Sequence, residues 1–178
     1  AEMDLCGSKG FASVDGTAEN TTLKAHNVDY ITVAQAFHWF DRIKFKVECN
    51  RILKPNGKII LVWNSRDQNS NMVKDSDDIN RKYCTNFKGF SGGMRGAEGE
   101  RDFDSFFTGE YEKKTFQNDL TFDLDGFIGR TLSASYALKE KDDKFLDYIT
   151  ELTACFNKHA VDGKMIMPNI TKSYSGRV

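Results

Sequence analysis

Apolar and polar positions follow two rhythms along this chain. From Val28 to Ala36 (Val-Asp-Tyr-Ile-Thr-Val-Ala-Gln-Ala) the residues are rich in β-branched types and nearly continuous in apolar character. That pattern predicts a strand covered on both faces, as in a parallel sheet. Asp41 stands where it can cap a helix. Within that helix Phe45, Cys49, Ile52 and Leu53 recur at the spacing of one buried face. Pro55-Asn56-Gly57 is expected to end the helix and turn the chain, and Lys58 to Trp63 follows as a second strand with a strong β signal. Strand, helix, turn and strand in this order predict a βαβ unit with a right-handed parallel crossover. Upstream, Phe11 to Gly16 reads as a short strand that ends in a loop at Gly16.

The later pattern is more helical. Asp77 to Phe87 is expected to be a helix, with Ile79, Tyr83 and Phe87 aligned. The glycine-rich stretch Gly89 to Gly99 has no strand before it and no helix opening on it, so it predicts a surface insertion rather than a phosphate loop. Tyr111 to Gln117 reads as a strand. Asp123 can cap a helix whose Leu124, Phe127, Ile128, Thr131 and Leu132 share a face. Phe145, Tyr148, Ile149, Leu152 and Phe156 mark another amphipathic helix, closed by Gly163. Lys164 to Tyr174 is expected to be a final strand, with Pro168 placing it at an edge or a bulge. The fold class is α/β, and residues 1–178 are read as one domain with a helical insertion at about 68–110.

Composition narrows the function classes. The chain has 178 residues, 39% of them hydrophobic, and 25 Lys plus Arg balance 26 Asp plus Glu to a net charge of -1. Such a balance gives no electrostatic reason to expect nucleic acid or an anionic membrane as partner. No run approaches the ~20 apolar residues of a membrane span, and no basic-then-apolar leader is present. Cys6, Cys49, Cys84 and Cys155 are widely spaced, which reads as reduced, packed thiols in a cytoplasmic protein. The sequons at Asn20 and Asn169 are treated as chance. No His, Cys and carboxylate set has ligand spacing, so no metal is expected. The opening Ala1-Glu2-Met3-Asp4-Leu5 reads as the inside of a helix, from which residues upstream of Ala1 are expected.

Ligands of open α/β sheets bind beyond the carboxyl ends of the strands. Three segments meet that rule: Asp15 to Asn20, Ala34 to Asp41, and Trp63 to Asp67. The middle one, Ala34-Gln35-Ala36-Phe37-His38-Trp39-Phe40-Asp41, gathers small residues, an amide, a histidine and three aromatics. Taken singly, each aromatic reads as packing and His38 as a hydrogen-bonded structural group. Their concentration at one strand end favours a ligand site, where aromatic faces can hold a cation for roughly 2 kcal/mol when desolvated. His26 and His159 read as surface residues. The absence of a Gly-x-Ser-x-Gly elbow weighs against an α/β-hydrolase.

Three motifs in order, Val14-Asp15-Gly16-Thr17-Ala18-Glu19-Asn20, Val28 through Asp41, and Arg51-Ile52-Leu53-Lys54-Pro55-Asn56-Gly57-Lys58, resemble the class I S-adenosylmethionine-dependent methyltransferases of the type 11 subgroup. The resemblance covers residues 1 to about 67, and the Ala-x-x-His-Trp pattern is most similar to the trans-aconitate methyltransferase branch. It implies a Rossmann-like, doubly wound, mostly parallel sheet in a three-layer sandwich. An antiparallel strand near the C-terminus, around Ile166 to Ser173, would run between two parallel neighbours. It also implies that Gly16, Thr17, Ala18 and Glu19 lie along the adenine edge of S-adenosylmethionine. Thr17 stands where the family often has Asp. Ala34, Gln35 and Ala36 would approach the methionine part, and Phe37, His38 and Trp39 would border the sulfonium. The family's glycine-rich loop and ribose-binding acid are nowhere in the chain, so the N-terminal strands are expected upstream, in roughly another 50 residues.

The activity so implied is methyl transfer to a small molecule with a carboxylate, hydroxyl or carbon acceptor. His38 is the candidate catalytic residue, as general base or as a positioning group for a carboxylate. Trp39, Arg130 and Tyr136 are the candidate acceptor contacts, with Arg130 suited to a carboxylate. A monomer or homodimer is expected. The competing expectations are a non-catalytic cofactor-binding protein on the same fold and an NAD-dependent oxidoreductase.

Overall fold

In a computed structural model of the chain, the described residues are 13–90 and 103–178. They fall into two compact units. The first holds residues 13–63, 103–114 and 173–178, and the second holds 64–90 and 115–172.

The first unit opens with a small hairpin, β1 (Gly16–Thr17) paired antiparallel with β2 (Asn20–Thr21). The expected strand at 11–16 thus moves forward: residues 13–15 form no strand and are exposed, and 11–12 lie outside the described residues. Next comes β3 (Val28–Ala34), then a turn of 3-10 helix at Phe37–Trp39, then α1 (Arg42–Ile52) and β4 (Leu53–Arg66). β3 and β4 are parallel, with Tyr30 opposite Lys58 and Ala34 opposite Val62, so the βαβ unit stands. Asp41 caps α1 by accepting from the Lys44 backbone N–H at 3.2 Å. The predicted face of Phe45, Cys49, Ile52 and Leu53 is buried.

Two expectations change here. Pro55-Asn56-Gly57 does not form a turn between separate elements. It lies inside β4, where a register shift between Val28 and Tyr30 absorbs the extra residues. Gly57 permits this because a Cβ there would sit 2.8 Å from Leu53 Cδ2 and 3.1 Å from the Asp29 carbonyl oxygen. β3 is also not covered on both faces: only Val33 is buried and Tyr30 is 65% exposed. Its position explains this, since it is the edge strand in the order β3-β4-β8-β5, where β5 is Glu112–Gln117 and β8 is Asn169–Gly176.

The core of the first unit is aromatic. Phe37 is fully buried, with its ring 4.7 Å from Phe106, 5.9 Å from Phe103 and 6.2 Å from Trp63. Phe45 stacks on Phe106, and Phe103 meets Tyr174 at 4.5 Å. Each such ring contributes roughly 1.5–3 kcal/mol through removal from water.

In the second unit α2 runs Asn71–Tyr83, earlier than the expected 77–87, and Phe87 is buried just beyond its end. β6 (Leu120–Phe122) precedes α3 (Leu124–Leu132), whose Asp123 cap accepts from the Gly126 N–H at 2.9 Å. α4 (Phe145–His159) follows, and Gly163 (φ +71°) helps turn the chain after it. The single final strand expected at 164–174 is two strands. β7 (Met165–Met167) pairs antiparallel with β6, and β8 lies between β4 and β5 in the larger sheet. Pro168, which has no N–H to give a ladder, marks the break. Phe127, Tyr148, Leu152, Phe156, Met165 and Met167 form the core, where Tyr148 donates to buried Asn80 Oδ1 at 2.7 Å. Of the glycine-rich stretch, Gly89 has φ +97°, and residues 91–99 lie outside the described residues.

Candidate functional site at the strand tips

The end of β3 brings several predicted residues together. Ala34 and Gln35 are exposed, and Gln35 takes φ +57° while its N–H donates to the Val62 carbonyl at 3.0 Å. A non-glycine residue in the left-handed region is uncommon and bends the chain sharply out of the strand. Ala36 is half-buried before the 3-10 turn, whose three residues divide their roles. Phe37 points into the core, so only its backbone can meet a ligand. His38 is exposed, and Trp39 is 80% exposed with its ring 4.8 Å from the His38 ring.

The hairpin reaches this turn through Glu19, whose Oε1 accepts the Asp41 backbone N–H at 2.9 Å. That bond, a further backbone bond and the Thr17 hydroxyl hold the Glu19 carboxyl below its usual range. Asp41 thus serves two elements, donating its N–H to Glu19 and accepting the Lys44 N–H that starts α1. Gly16 and Thr17 are exposed, and Ala18 and Glu19 are half-buried. At Gly16 a Cβ would fall 2.8 Å from the Asn20 carbonyl, so the tight hairpin requires a glycine there.

A second tie holds the hairpin to α1, and the sequence pattern did not reveal it. Glu48, only 5% exposed, accepts the Thr21 N–H at 2.8 Å and the Thr21 hydroxyl. Arg51 completes the set, with Nε and Nη2 at 2.8 and 2.7 Å from the two carboxylate oxygens and Nη2 3.2 Å from the Thr21 carbonyl. The Arg51 guanidinium outweighs the cost of burial and, with the Thr21 bonds, holds the Glu48 pKa down to about 2. The available signal was a carboxylate placed beside Phe45, Cys49 and Ile52 on the buried face of a helix, three residues before an arginine.

The remaining candidates belong to the second unit. Arg130 is exposed on α3, and Tyr136 is half-buried with its ring 4.7 Å from Phe87. His159, expected as a plain surface residue, is half-buried and lies 2.6 Å from Asp75 Oδ2. His26 is exposed, with Nδ1 3.0 Å from the Leu53 carbonyl oxygen. Among the described residues Cys49, Cys84 and Cys155 are free and buried, and no cluster of three or more His, Cys, Asp or Glu side chains could hold a metal ion. No helix among them is long and apolar enough to cross a membrane.

Residues 2–61, which contain the hairpin, β3, the turn and α1, match the methyltransferase domain family. An uncharacterized methyltransferase of Mycobacterium bovis is 42% identical over 64 residues, 36% of this chain and 26% of that protein. An uncharacterized methyltransferase-like protein of Schizosaccharomyces pombe is 40% identical over 78 residues, 42% of this chain and 30% of its own length. The likeness to methyltransferases thus lies in the first third of the chain. Its fold agrees: a solved structure assigned as a type II methyltransferase from Anaeromyxobacter dehalogenans superposes with a TM-score of 0.57 at 17% identity, over 91% of this chain and 69% of that one. That likeness makes the fold Rossmann-like. The chain spans between a quarter and a third of the two relatives' length.

The residues of the matched segment are chemically compatible with S-adenosylmethionine. Glu19 and Thr17 offer acceptors for a nucleoside's amine and hydroxyl groups. Ala34 and Ala36 leave the strand tip free of bulk, and the exposed Trp39 ring offers a face to a cation.

Proposed function

We propose that the protein is an S-adenosylmethionine-dependent methyltransferase that acts on a small-molecule acceptor. The observation that carries this reading is the Glu19 to Asp41 hydrogen bond, which draws the hairpin to the turn bearing His38 and Trp39. When bound, the cofactor supplies a methyl carbon made electrophilic by a positively charged sulfur. The chain's own contribution is then mainly orientation. In the proposed arrangement Gly16 to Glu19 hold the nucleoside end and Ala34 to Ala36 hold the methionine end. Trp39 screens the sulfonium from water, and His38 faces the acceptor. Holding acceptor and methyl carbon in line can lower a barrier by on the order of 7–11 kcal/mol at best.

The role of His38 depends on the acceptor. A carboxylate is already a nucleophile and loses no proton, so His38 positions it. A hydroxyl or carbon acid must be deprotonated, and His38 is the exposed base at the tip. Aligning a substrate for displacement affects turnover more than cofactor binding. His38→Ala is therefore expected to lower kcat/KM for the acceptor by about 10²-fold or more while S-adenosylhomocysteine binds with little change. Equal losses in both measurements would remove His38 from the acceptor side of the site.

A further inference from the structure

A cavity of about 400 Å³ opens in the second unit where the start of α2, the β6–β7 pair and the end of α4 meet. Short backbone bonds fix two of its walls. Val161 and Lys164 exchange both backbone hydrogen bonds, at 2.8 and 3.0 Å, across a tight turn in which Asp162 and Gly163 take positive φ. Thr121 on β6 lies directly opposite Ile166 on β7, so the hydroxyl and the apolar side chain share one face. His159, the last residue of α4, adds a half-buried ring held by Asp75. Its Nε2 lies 2.6 Å from Asp75 Oδ2, and Lys158 Nζ holds the same oxygen at 2.7 Å.

The polar groups that line this space have bonding capacity to spare. Ser70 does not cap α2 with its side chain, and among the described residues neither its hydroxyl nor that of Thr121 has a hydrogen-bond partner. His159 Nδ1 is likewise unbonded among them. Lys164 Nζ meets Asp123 Oδ2 at 3.1 Å in an exposed pair, which leaves ammonium donors over. Among the described residues no acidic side chain lines the cavity, so its lysine and histidine favour an anion. Met72, Val161 and Ile166 supply apolar wall, the last two of them exposed. The lining thus matches an anionic head on an apolar body. Donors from separate elements approach that head from several directions, which suits a tetrahedral anion better than a planar one. With Nε2 giving its proton to Asp75, Nδ1 donates when the ring is charged and accepts when it is neutral. A phosphomonoester, which loses its second proton at about pH 6, meets the ring in both states, offering P–O⁻ to the one and P–OH to the other. We propose that this cavity binds a phosphomonoester of an apolar alcohol. Lys164 and His159 hold the phosphate, and Val161 and Ile166 lie against the organic group. The site stands on the second unit alone and does not depend on methyl transfer.

Calorimetric titration of the intact protein with phenyl phosphate at pH 7 tests this. Phenol, benzoate and phenyl sulfate serve as its uncharged, planar and protonless counterparts, and inorganic phosphate as the head alone. The expected result is saturable, single-site binding of phenyl phosphate, weaker binding of the other three anions and none of phenol. Lys164→Gln should weaken phenyl phosphate about tenfold, the equivalent of one charge-assisted pair. His159→Gln should weaken it about threefold and narrow the preference over phenyl sulfate. Ile166→Ser should reduce the preference for phenyl phosphate over inorganic phosphate about threefold. Lys164 and Ile166 are exposed, so their variants keep the test valid if the His159 variant does not fold. No binding of phenyl phosphate, equal or tighter binding of benzoate or phenyl sulfate, or affinity unchanged in Lys164→Gln would each overturn the assignment. Failure here leaves the methyltransferase reading intact, since no residue of the strand-tip site is involved.

Discussion

Glu48 joins the hairpin to α1, so replacing it by Gln tests how the strand-tip site is held in place. The substitution keeps shape and one acceptor oxygen but removes the charge that two Arg51 nitrogens and two Thr21 donors share. Held at about 2 in the folded protein against 4.5 in the open chain, the Glu48 carboxyl contributes about 3 kcal/mol at pH 7. Because the folded pKa is the lower one, this stabilisation is complete above pH 4.5 and is lost as pH falls toward 2. Linkage leaves about 1.5 kcal/mol of it at pH 3. Arg51 is 40% exposed and solvent screens its end of the pair, so roughly 2–3 kcal/mol is the expected loss for Glu48→Gln at pH 7. Urea denaturation of the intact protein and the variant at pH 7 and pH 3 measures both quantities. Hydrogen exchange at the Thr21 amide should rise in parallel as the hairpin detaches. A stability difference that is the same at both pH values, or one below about 0.5 kcal/mol at pH 7, would refute the reasoning.

Three other outcomes are expected. Asp41→Ala removes the cap of α1 and should cost about 1 kcal/mol by denaturant titration. Gly57→Ala forces a Cβ to within 3.1 Å of backbone oxygens of Lys54 and Asp29 and should destabilise by about 1–3 kcal/mol, seen as a lower Tm. Burial pushes the Cys49 and Cys155 thiols up to about 12 and about 11, so site-resolved mass spectrometry should find both inert to iodoacetamide until denaturant unfolds the protein.

Elements encoded by local spacing were legible in the sequence. The buried face of α1, the Asp41 and Asp123 caps, the parallel β3–β4 pair and the amphipathic α4 each depend on residues within a few turns of one another, and each forms as expected. Expectations failed where distant partners decide the outcome. Val28 to Ala34 has the composition of a covered strand, yet coverage depends on neighbours, and β3 lies at a sheet edge. Pro168 marked an irregularity without revealing that the chain leaves one sheet for another. At the site, His38 and Trp39 drew notice as unusual types in one short stretch. Glu48 did not, because its partner Thr21 is on the hairpin.

The central claim is that the hairpin and the turn after β3 together hold the nucleoside of S-adenosylmethionine. Titration of S-adenosylhomocysteine into the intact protein, beside a folded Glu19→Ala variant, tests it most directly. Single-site binding that weakens about tenfold when Glu19 is removed is the predicted result. No binding by the unmodified protein, or equal affinity in the variant, would contradict it.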